Sequence, residues 1–99
     1  MEGLQSTSRL QSLFADLIVG LNLHPVCDPT WHQFSGTGGI TGLALLEESH
    51  LACHTFPEYG ALCLNVFCCR SRPDWDFEAH LKRAFHAEEV TVRRLERPY

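Results

Sequence analysis

The chain has 99 residues, of which 44% are hydrophobic and 20% are charged, and its formal net charge at pH 7 is −4. This composition excludes a disordered chain and is typical of a globular protein, and the length suits one domain, residues 1–99, with a small core. The negative charge argues against a nucleic-acid-binding protein, and no apolar run reaches the roughly 20 residues that a membrane span requires. We therefore expect neither nucleic acid nor a membrane as a partner.

The cysteines and the first residues indicate the cellular compartment. Five cysteines is an odd number, and their positions match no disulfide framework: Cys27, Cys53, Cys63, Cys68 and Cys69. Residues 1–9 lead into an amphipathic segment, which differs from the apolar core of a secretory signal. We therefore expect reduced thiols in a cytoplasmic protein.

The N-terminal half predicts one helix and two extended segments. Hydroxyl residues at positions 6–8 can cap a helix that continues to about Leu21. Its apolar residues recur every three or four positions, as on one face of a helix: Leu10, Leu13, Phe14, Leu17, Ile18 and Leu21. Thr30–Phe34 can be extended, and after a glycine-rich turn the continuous apolar run Ile40–Leu46 predicts a buried strand.

The C-terminal half predicts two strands, a helix and a last strand. Leu51–Phe56 reads as a strand after the polar interruption at residues 47–50. In Ala61–Cys69 the two faces of a strand differ: Leu62, Leu64 and Val66 lie on one, and Cys63, Asn65, Phe67 and Cys69 lie on the other. Asp74 can cap a helix, and Glu89–Leu95 alternates as a final strand.

Together these elements predict an α+β fold. We expect a two-layer sandwich in which a mainly antiparallel sheet carries the helices on one face. The other face, which includes Cys69, then needs either a function or a partner.

Two short motifs lie close together in the middle of the chain. The first is Glu48-Ser49-His50, and the second is His54-Thr55-Phe56-Pro57-Glu58-Tyr59-Gly60. They resemble the self-cleavage region of the prokaryotic S-adenosylmethionine decarboxylases, in which Glu-Ser-His precedes His-Thr-Trp-Pro-Glu-Tyr-Gly. The likeness begins upstream at His32-Gln33-Phe34 and continues through Val66-Phe67-Cys68-Cys69 to Arg97.

The resemblance implies a pyruvoyl-dependent decarboxylase that cleaves its own chain between Glu48 and Ser49. Ser49 is then expected to attack the Glu48 carbonyl and form an ester, which needs a positioned base or a strained peptide. Elimination and hydrolysis would leave a β chain, residues 1–48, and an α chain, residues 49–99, that begins with a pyruvoyl group made from Ser49. This group forms a Schiff base with the substrate and accepts its electrons, so neither another cofactor nor a metal is expected.

The resemblance also implies roles for three further residues. His54 matches the processing base, and it could reach back toward Ser49 from the strand face that it shares with His50. Thr41 matches a hydroxyl residue that assists processing. Cys69 matches the proton donor of the family, and Cys68 is a close rival. A thiol suits this role, because with a pKa of about 8.5 it is mostly protonated at pH 7.

The implied substrate is S-adenosylmethionine, whose decarboxylation supplies the aminopropyl donor for spermidine biosynthesis. Phe34 and Phe56 match aromatic residues that stack on adenine, and Glu58 matches an acidic residue that binds the ribose hydroxyls. A homodimer of processed protomers is also implied, because short prokaryotic members build their active sites between two protomers.

Departures from the family pattern leave alternatives open. The chain begins almost at the first helix, where the family has a strand. Phe56 replaces a tryptophan, Asn65 stands where aspartate is common, and the turn after Phe34 is one residue longer. A pyruvoyl-dependent arginine or ornithine decarboxylase is therefore an alternative, as is a non-enzymatic truncated paralogue that modulates a full-length relative.

A metal-binding module is an alternative from another class. It would use four side chains of types that zinc accepts: His50, Cys53, His54 and either Cys68 or Cys69. The spacing supports it poorly, because Cys53 is expected to face away from its two histidine neighbours.

Overall fold

Two helices, four strands and one short 3-10 helix follow one another along residues 1–97, the part of the chain that the structure, a computed structural model, describes. Residues 98 and 99, the end of the predicted domain, lie outside the described residues. The elements are α1 Thr7–Gly20, β1 Thr30–Gln33, β2 Ile40–Leu46, β3 Ser49–Phe56, the 3-10 helix Pro57–Tyr59, β4 Ala61–Cys68 and α2 Phe77–Phe85. The strands form one antiparallel sheet in the order β1-β2-β3-β4, which confirms the predicted α+β fold.

Helix α1 packs along the middle of the sheet. Ser6 caps it, because its hydroxyl accepts a hydrogen bond from the Arg9 amide at 3.3 Å. The predicted apolar stripe is buried and joins one hydrophobic cluster with the inner side chains of β2 and β3: Leu10, Leu13, Phe14, Leu17, Ile40, Ala44, Leu46, Leu51 and Cys53. Of the helices within residues 1–97, none has the length and apolar character of a membrane-spanning segment.

The sheet has one covered face and one open face. Burial alternates strictly along β2, so Ala44 is fully buried, whereas its neighbours Leu43 and Leu45 are 50% and 53% exposed. The apolar run Ile40–Leu46 therefore has the predicted bounds but is not buried on both sides. The reason is that α1 and α2 cover the same face of the sheet, which leaves the outward leucines uncovered.

Two predictions near the C-terminus are wrong. Asp76, not Asp74, caps α2, since its carboxylate accepts from the Ala79 amide at 3.0 Å. The alternating segment Glu89–Leu95 forms no strand. His86 ends α2 with a left-handed backbone conformation and redirects the chain, and an alternating pattern without a neighbouring strand leaves its backbone groups unpaired.

Thr55 ties the N-terminal segment to the sheet from inside the core. Thr55 is 1% exposed, and its hydroxyl donates to the Leu4 carbonyl at 2.6 Å and accepts from the Ile40 amide at 2.8 Å. In a Ser49→Ala background, which removes the hydroxyl at the predicted cleavage bond, we expect Thr55→Val to lower the free energy of unfolding by about 1–3 kcal/mol, since two buried partners are left unpaired. Urea unfolding measures this loss. Thr30→Val, at an exposed strand position, is the control, and an equal loss in both variants would contradict the assignment.

Candidate active site

The tip of the β2–β3 hairpin holds the predicted cleavage bond. Leu46 pairs with Ser49, so only Glu47 and Glu48 form the loop. Two-residue hairpin loops usually contain residues with positive φ, most often glycine or asparagine. In this loop the positive φ falls instead on Ser49, at 155°, a value that L-residues rarely adopt. Backbone strain is thus placed on the residue whose nitrogen belongs to the bond.

The carbonyl of the predicted cleavage bond is held by a backbone donor. The Cys69 amide donates to the Glu48 carbonyl oxygen at 2.9 Å, and this contact extends the β3–β4 ladder by one step beyond the pair Ser49–Cys68. An N–H group in this position stabilises negative charge on the oxygen when a nucleophile attacks the carbon. The Cys69 thiol itself is exposed.

His50 contacts the hydroxyl of Ser49. Its Nδ1 lies 2.9 Å from Ser49 Oγ, and its ring stacks on Phe67 with the centroids 5.4 Å apart and the planes 1° apart. An imidazole so placed can accept the hydroxyl proton. Sequence reasoning missed this role, because neighbouring residues of a regular strand point to opposite faces. Ser49 has a positive φ and departs from regular strand geometry, so this alternation does not hold for the pair Ser49 and His50.

The Glu48 side chain turns inward and is only 7% exposed. Its Oε2 accepts from the His24 amide at 3.2 Å, its Oε1 bonds His24 Nδ1, and Arg72 Nη1 lies 4.0 Å from Oε1. The side-chain hydrogen bond from His24 lowers the pKa of Glu48 below its ordinary value, although burial acts in the opposite direction. Neither His24 nor Arg72 was named from the sequence, because each lies 24 residues from Glu48 with no shared motif.

A second group of predicted site residues lies on the open face. Thr41 and His54 are cross-strand partners, and Thr41 Oγ1 lies 2.7 Å from His54 Nδ1. Phe34 and Phe56 flank this histidine, with ring centroids 5.7 Å and 4.3 Å from its own. Glu58 follows in the 3-10 helix and is exposed. The predicted processing pair and the predicted adenine-binding rings are thus neighbours.

The expectation that His54 reaches back toward Ser49 is wrong for a single chain. Ser49 pairs with Leu46 and Cys68, whereas His54 pairs with Thr41 and Cys63. Five steps along an extended strand place the two residues roughly 16 Å apart, at about 3.3 Å per residue. The fold therefore places the candidate site residues in two separate groups, one around Ser49 and one around His54, which we call half-sites.

The cysteines differ in whether they face the core or the solvent. Cys53 points into the core, where burial raises its pKa to about 11, and it lies on the opposite face from His50 and His54. The four ligands of the metal-binding alternative are thereby divided between two sides of the sheet. Cys68 packs against the core and has a raised pKa for the same reason, whereas Cys69 is exposed at the Ser49 end of the sheet. This placement favours Cys69 over Cys68 as the residue that meets a substrate.

Known proteins that are similar to this chain belong to one family. Residues 1–98 match the S-adenosylmethionine decarboxylase family. The chain is similar to S-adenosylmethionine decarboxylase proenzymes from Moorella thermoacetica, at 38% identity over 84% of this chain, and from Thermotoga maritima, at 41% identity over 69% of it. These matches span 64% and 52% of the relatives' own lengths. The family match over residues 1–98, nearly the whole sequence, establishes that the chain belongs to the S-adenosylmethionine decarboxylase family.

Proposed function

We propose that this chain is a self-processing, pyruvoyl-dependent enzyme that decarboxylates S-adenosylmethionine and so supplies the aminopropyl donor for spermidine biosynthesis. One observation carries the proposal, namely the geometry at the bond between Glu48 and Ser49. A strained serine, a hydrogen-bonded carbonyl and a histidine on the hydroxyl meet at this one peptide bond. Cleavage here divides the chain into residues 1–48 and residues 49–99.

The first half of self-cleavage is an acyl shift within the hairpin. His50 Nδ1 takes the hydroxyl proton while Ser49 Oγ bonds to the Glu48 carbonyl carbon, and the Cys69 amide stabilises the charge on the carbonyl oxygen. The C–N bond then breaks and the Ser49 nitrogen gains a proton, which leaves an ester. The release of the strained φ at Ser49 favours this direction.

The second half of self-cleavage needs a base at the Ser49 α-carbon. His54 removes this proton, the Cβ–Oγ bond breaks, and Glu48 leaves as a free carboxylate. Water then replaces the nitrogen of the dehydroalanine, and ammonia is released. Thr41, bonded to His54 Nδ1, orients the imidazole for the proton transfer.

The residues around position 49 suit a pyruvoyl group. Position 49 begins β3 and lies in the ladder opposite Cys68, so the new chain end stays attached to the sheet, and the exposed Cys69 follows its ladder partner. The pyruvoyl group supplies the electron sink for decarboxylation. Cys69 holds the proton that returns to the substrate's α-carbon.

A second copy of the chain completes the site in this proposal. The open face carries half-exposed apolar side chains, including Phe34, Leu43 and Leu45. When two such faces meet across a two-fold axis near Ala52, the Ser49 end of each β3 faces the His54 end of the other. Each half-site then meets the complementary half-site of its partner, which accounts for the distance between Ser49 and His54 within one chain.

Side chains near His54 suit the binding of S-adenosylmethionine, and the cysteines suit a cytoplasmic protein. Phe34 and Phe56 offer two ring faces for adenine beside His54, and the exposed Glu58 carboxylate is close enough in sequence to bind the ribose hydroxyls. All five cysteines are free thiols, which suits the reducing cytoplasm.

The substrate is tested by the release of labelled carbon dioxide from S-adenosylmethionine, arginine and ornithine, each labelled in its carboxyl group. We expect release from S-adenosylmethionine alone. Cys69→Ala should still cleave its chain but lose at least about 100-fold in turnover, because the proton donor is gone. Cys27→Ala, at an exposed cysteine outside both half-sites, is the control. Release from arginine or ornithine would overturn the substrate, and normal turnover by Cys69→Ala would overturn the donor.

A further inference from the structure

We infer that His24 and Arg72 are positioning residues for self-cleavage. They hold the Glu48 side chain, and the backbone carbonyl of Glu48 therefore stays bonded to the Cys69 amide while Ser49 attacks. This inference rests on the proposed self-cleavage but concerns residues that neither motif contains. The contacts of these two residues with Glu48 control the rate of the first step.

Three hydrogen bonds hold Glu48, two at its carboxylate and one at its backbone carbonyl. Both carboxylate oxygens of Glu48 are bonded to His24, one through the amide at 3.2 Å and the other through Nδ1, and the Glu48 carbonyl oxygen is bonded to the Cys69 amide at 2.9 Å. A residue fixed at its side chain and at its carbonyl has little freedom to rotate. The carbonyl is therefore presented in one orientation.

Arg72 connects the three segments that meet at this point. Its guanidinium lies 4.0 Å from the Glu48 carboxylate and donates to the Asn22 carbonyl at 3.0 Å. The His24 carbonyl in turn accepts from the Glu47 amide at 2.8 Å. The loop after α1, the tip of the β2–β3 hairpin and the segment after β4 are thus joined by polar contacts around one carboxylate.

Charge and burial explain why these contacts control the hairpin. A carboxylate that is 7% exposed needs partners, because an unpaired buried charge is strongly unfavourable. The Glu47 carboxylate lies within 4.8 Å of the same imidazole, so two acids meet one histidine, and Arg72 adds a positive charge 4.0 Å from Glu48. If a partner is lost, the cheapest response is for Glu48 to turn outward to water. We expect this change to loosen the two-residue loop, because the His24 backbone bonds both Glu48 and Glu47, and a looser loop no longer holds the Glu48 carbonyl against the Cys69 amide.

The chain contains a matched pair of contacts far from the hairpin. Glu2 also faces one arginine and one histidine, Arg9 at 3.9 Å and His86 at 3.7 Å, but its side chain is 60% exposed. Removing the charge of Glu2 weakens contacts with one arginine and one histidine, as at Glu48, but leaves no buried carboxylate without a partner. Glu2→Gln is therefore the control for every variant of the Glu48 group.

The experiment measures the first-order rate of chain cleavage by intact mass after refolding. We expect His24→Ala and Glu48→Ala to slow cleavage by about tenfold or more, because each removes a bond to a charged group. His24→Asn, which keeps a side-chain N–H donor near the position of Nδ1, should recover most of the rate. The double variant His24→Ala/Glu48→Ala should be no slower than Glu48→Ala, because the two residues act through one contact. Glu2→Gln should cleave at the unaltered rate.

A second measurement does not depend on cleavage. In a Ser49→Ala background, hydrogen exchange of the Cys69 amide reports its bond to the Glu48 carbonyl. We expect His24→Ala and Arg72→Ala to speed this exchange by about tenfold while amides in the centre of β3 keep their protection. Unchanged exchange, or equal losses at all sheet amides, overturns the positioning role. If the unaltered chain does not cleave at all, the proposed function fails, and the exchange result still decides whether His24 and Arg72 hold the carbonyl.

Discussion

Replacing Ser49 by alanine is expected to leave one full-length chain, whereas the unaltered chain separates into fragments of residues 1–48 and 49–99. Alanine keeps the backbone of the hairpin but removes the hydroxyl that contacts His50 Nδ1 and that is the proposed nucleophile for the Glu48 carbonyl. Cleavage should fall below detection. Intact-mass measurement of both proteins after the same incubation gives the result directly, and a carbonyl-specific reagent should label only the 49–99 fragment.

The hairpin between β1 and β2 provides the control for this change. Ser35 lies in its exposed turn, so Ser35→Ala removes a turn hydroxyl that has no place in the reaction, and its chain should cleave like the unaltered one. The contrary result is equally clear. An unaltered chain that keeps its full mass and an ordinary serine at position 49 is not a proenzyme, and the decarboxylase function would then be wrong.

The strands and α1 could be predicted because their patterns are local. Thr7–Gly20 follows from a cap and a stripe of apolar residues, and Ile40–Leu46 follows from an apolar run between a turn and two glutamates. Glu89–Leu95 has an equally regular alternation but forms no strand. A strand exists only when another strand accepts its hydrogen bonds, and alternation in one segment carries no information about that partner.

The candidate site also has a part that the sequence predicts and a part that it does not. Ser49, His54 and Cys69 are predicted as site residues because the two motifs and the strand after them resemble a known family. Their separation into two half-sites was not predicted, since a motif gives positions along the chain and not distances across a sheet. His24 and Arg72 were missed for a related reason. They meet Glu48 only because a loop and a strand end fold against the hairpin, and nothing in the sequence marks a buried glutamate in a two-residue turn.

Two uncleaved variants are expected to restore cleavage when they are mixed, because the proposed dimer builds each site from Ser49 of one chain and His54 of the other. His54→Ala alone should slow cleavage by at least about 100-fold, as the base for the second step is missing. Ser49→Ala alone should not cleave. When both are produced in the same cell, a mixed dimer contains one site with an intact Ser49 from one chain and an intact His54 from the other. With random pairing at equal amounts, about half of the His54→Ala chains enter mixed dimers and should be cleaved.

The matched control replaces the Ser49→Ala chain by the double variant Ser49→Ala/His54→Ala, which forms the same mixed dimers but brings no histidine. No cleavage should then be restored. Native mass measurement shows whether mixed dimers form in both experiments. An absence of cleavage can then not be explained by a failure of the two variants to pair. If mixed dimers are present and the His54→Ala chain stays whole, the base acts within its own chain, and the strand that separates Ser49 from His54 must bend before cleavage. If His54→Ala cleaves by itself at the unaltered rate, another group removes the α-proton, and His50, already bonded to Ser49 Oγ, is the next residue to replace.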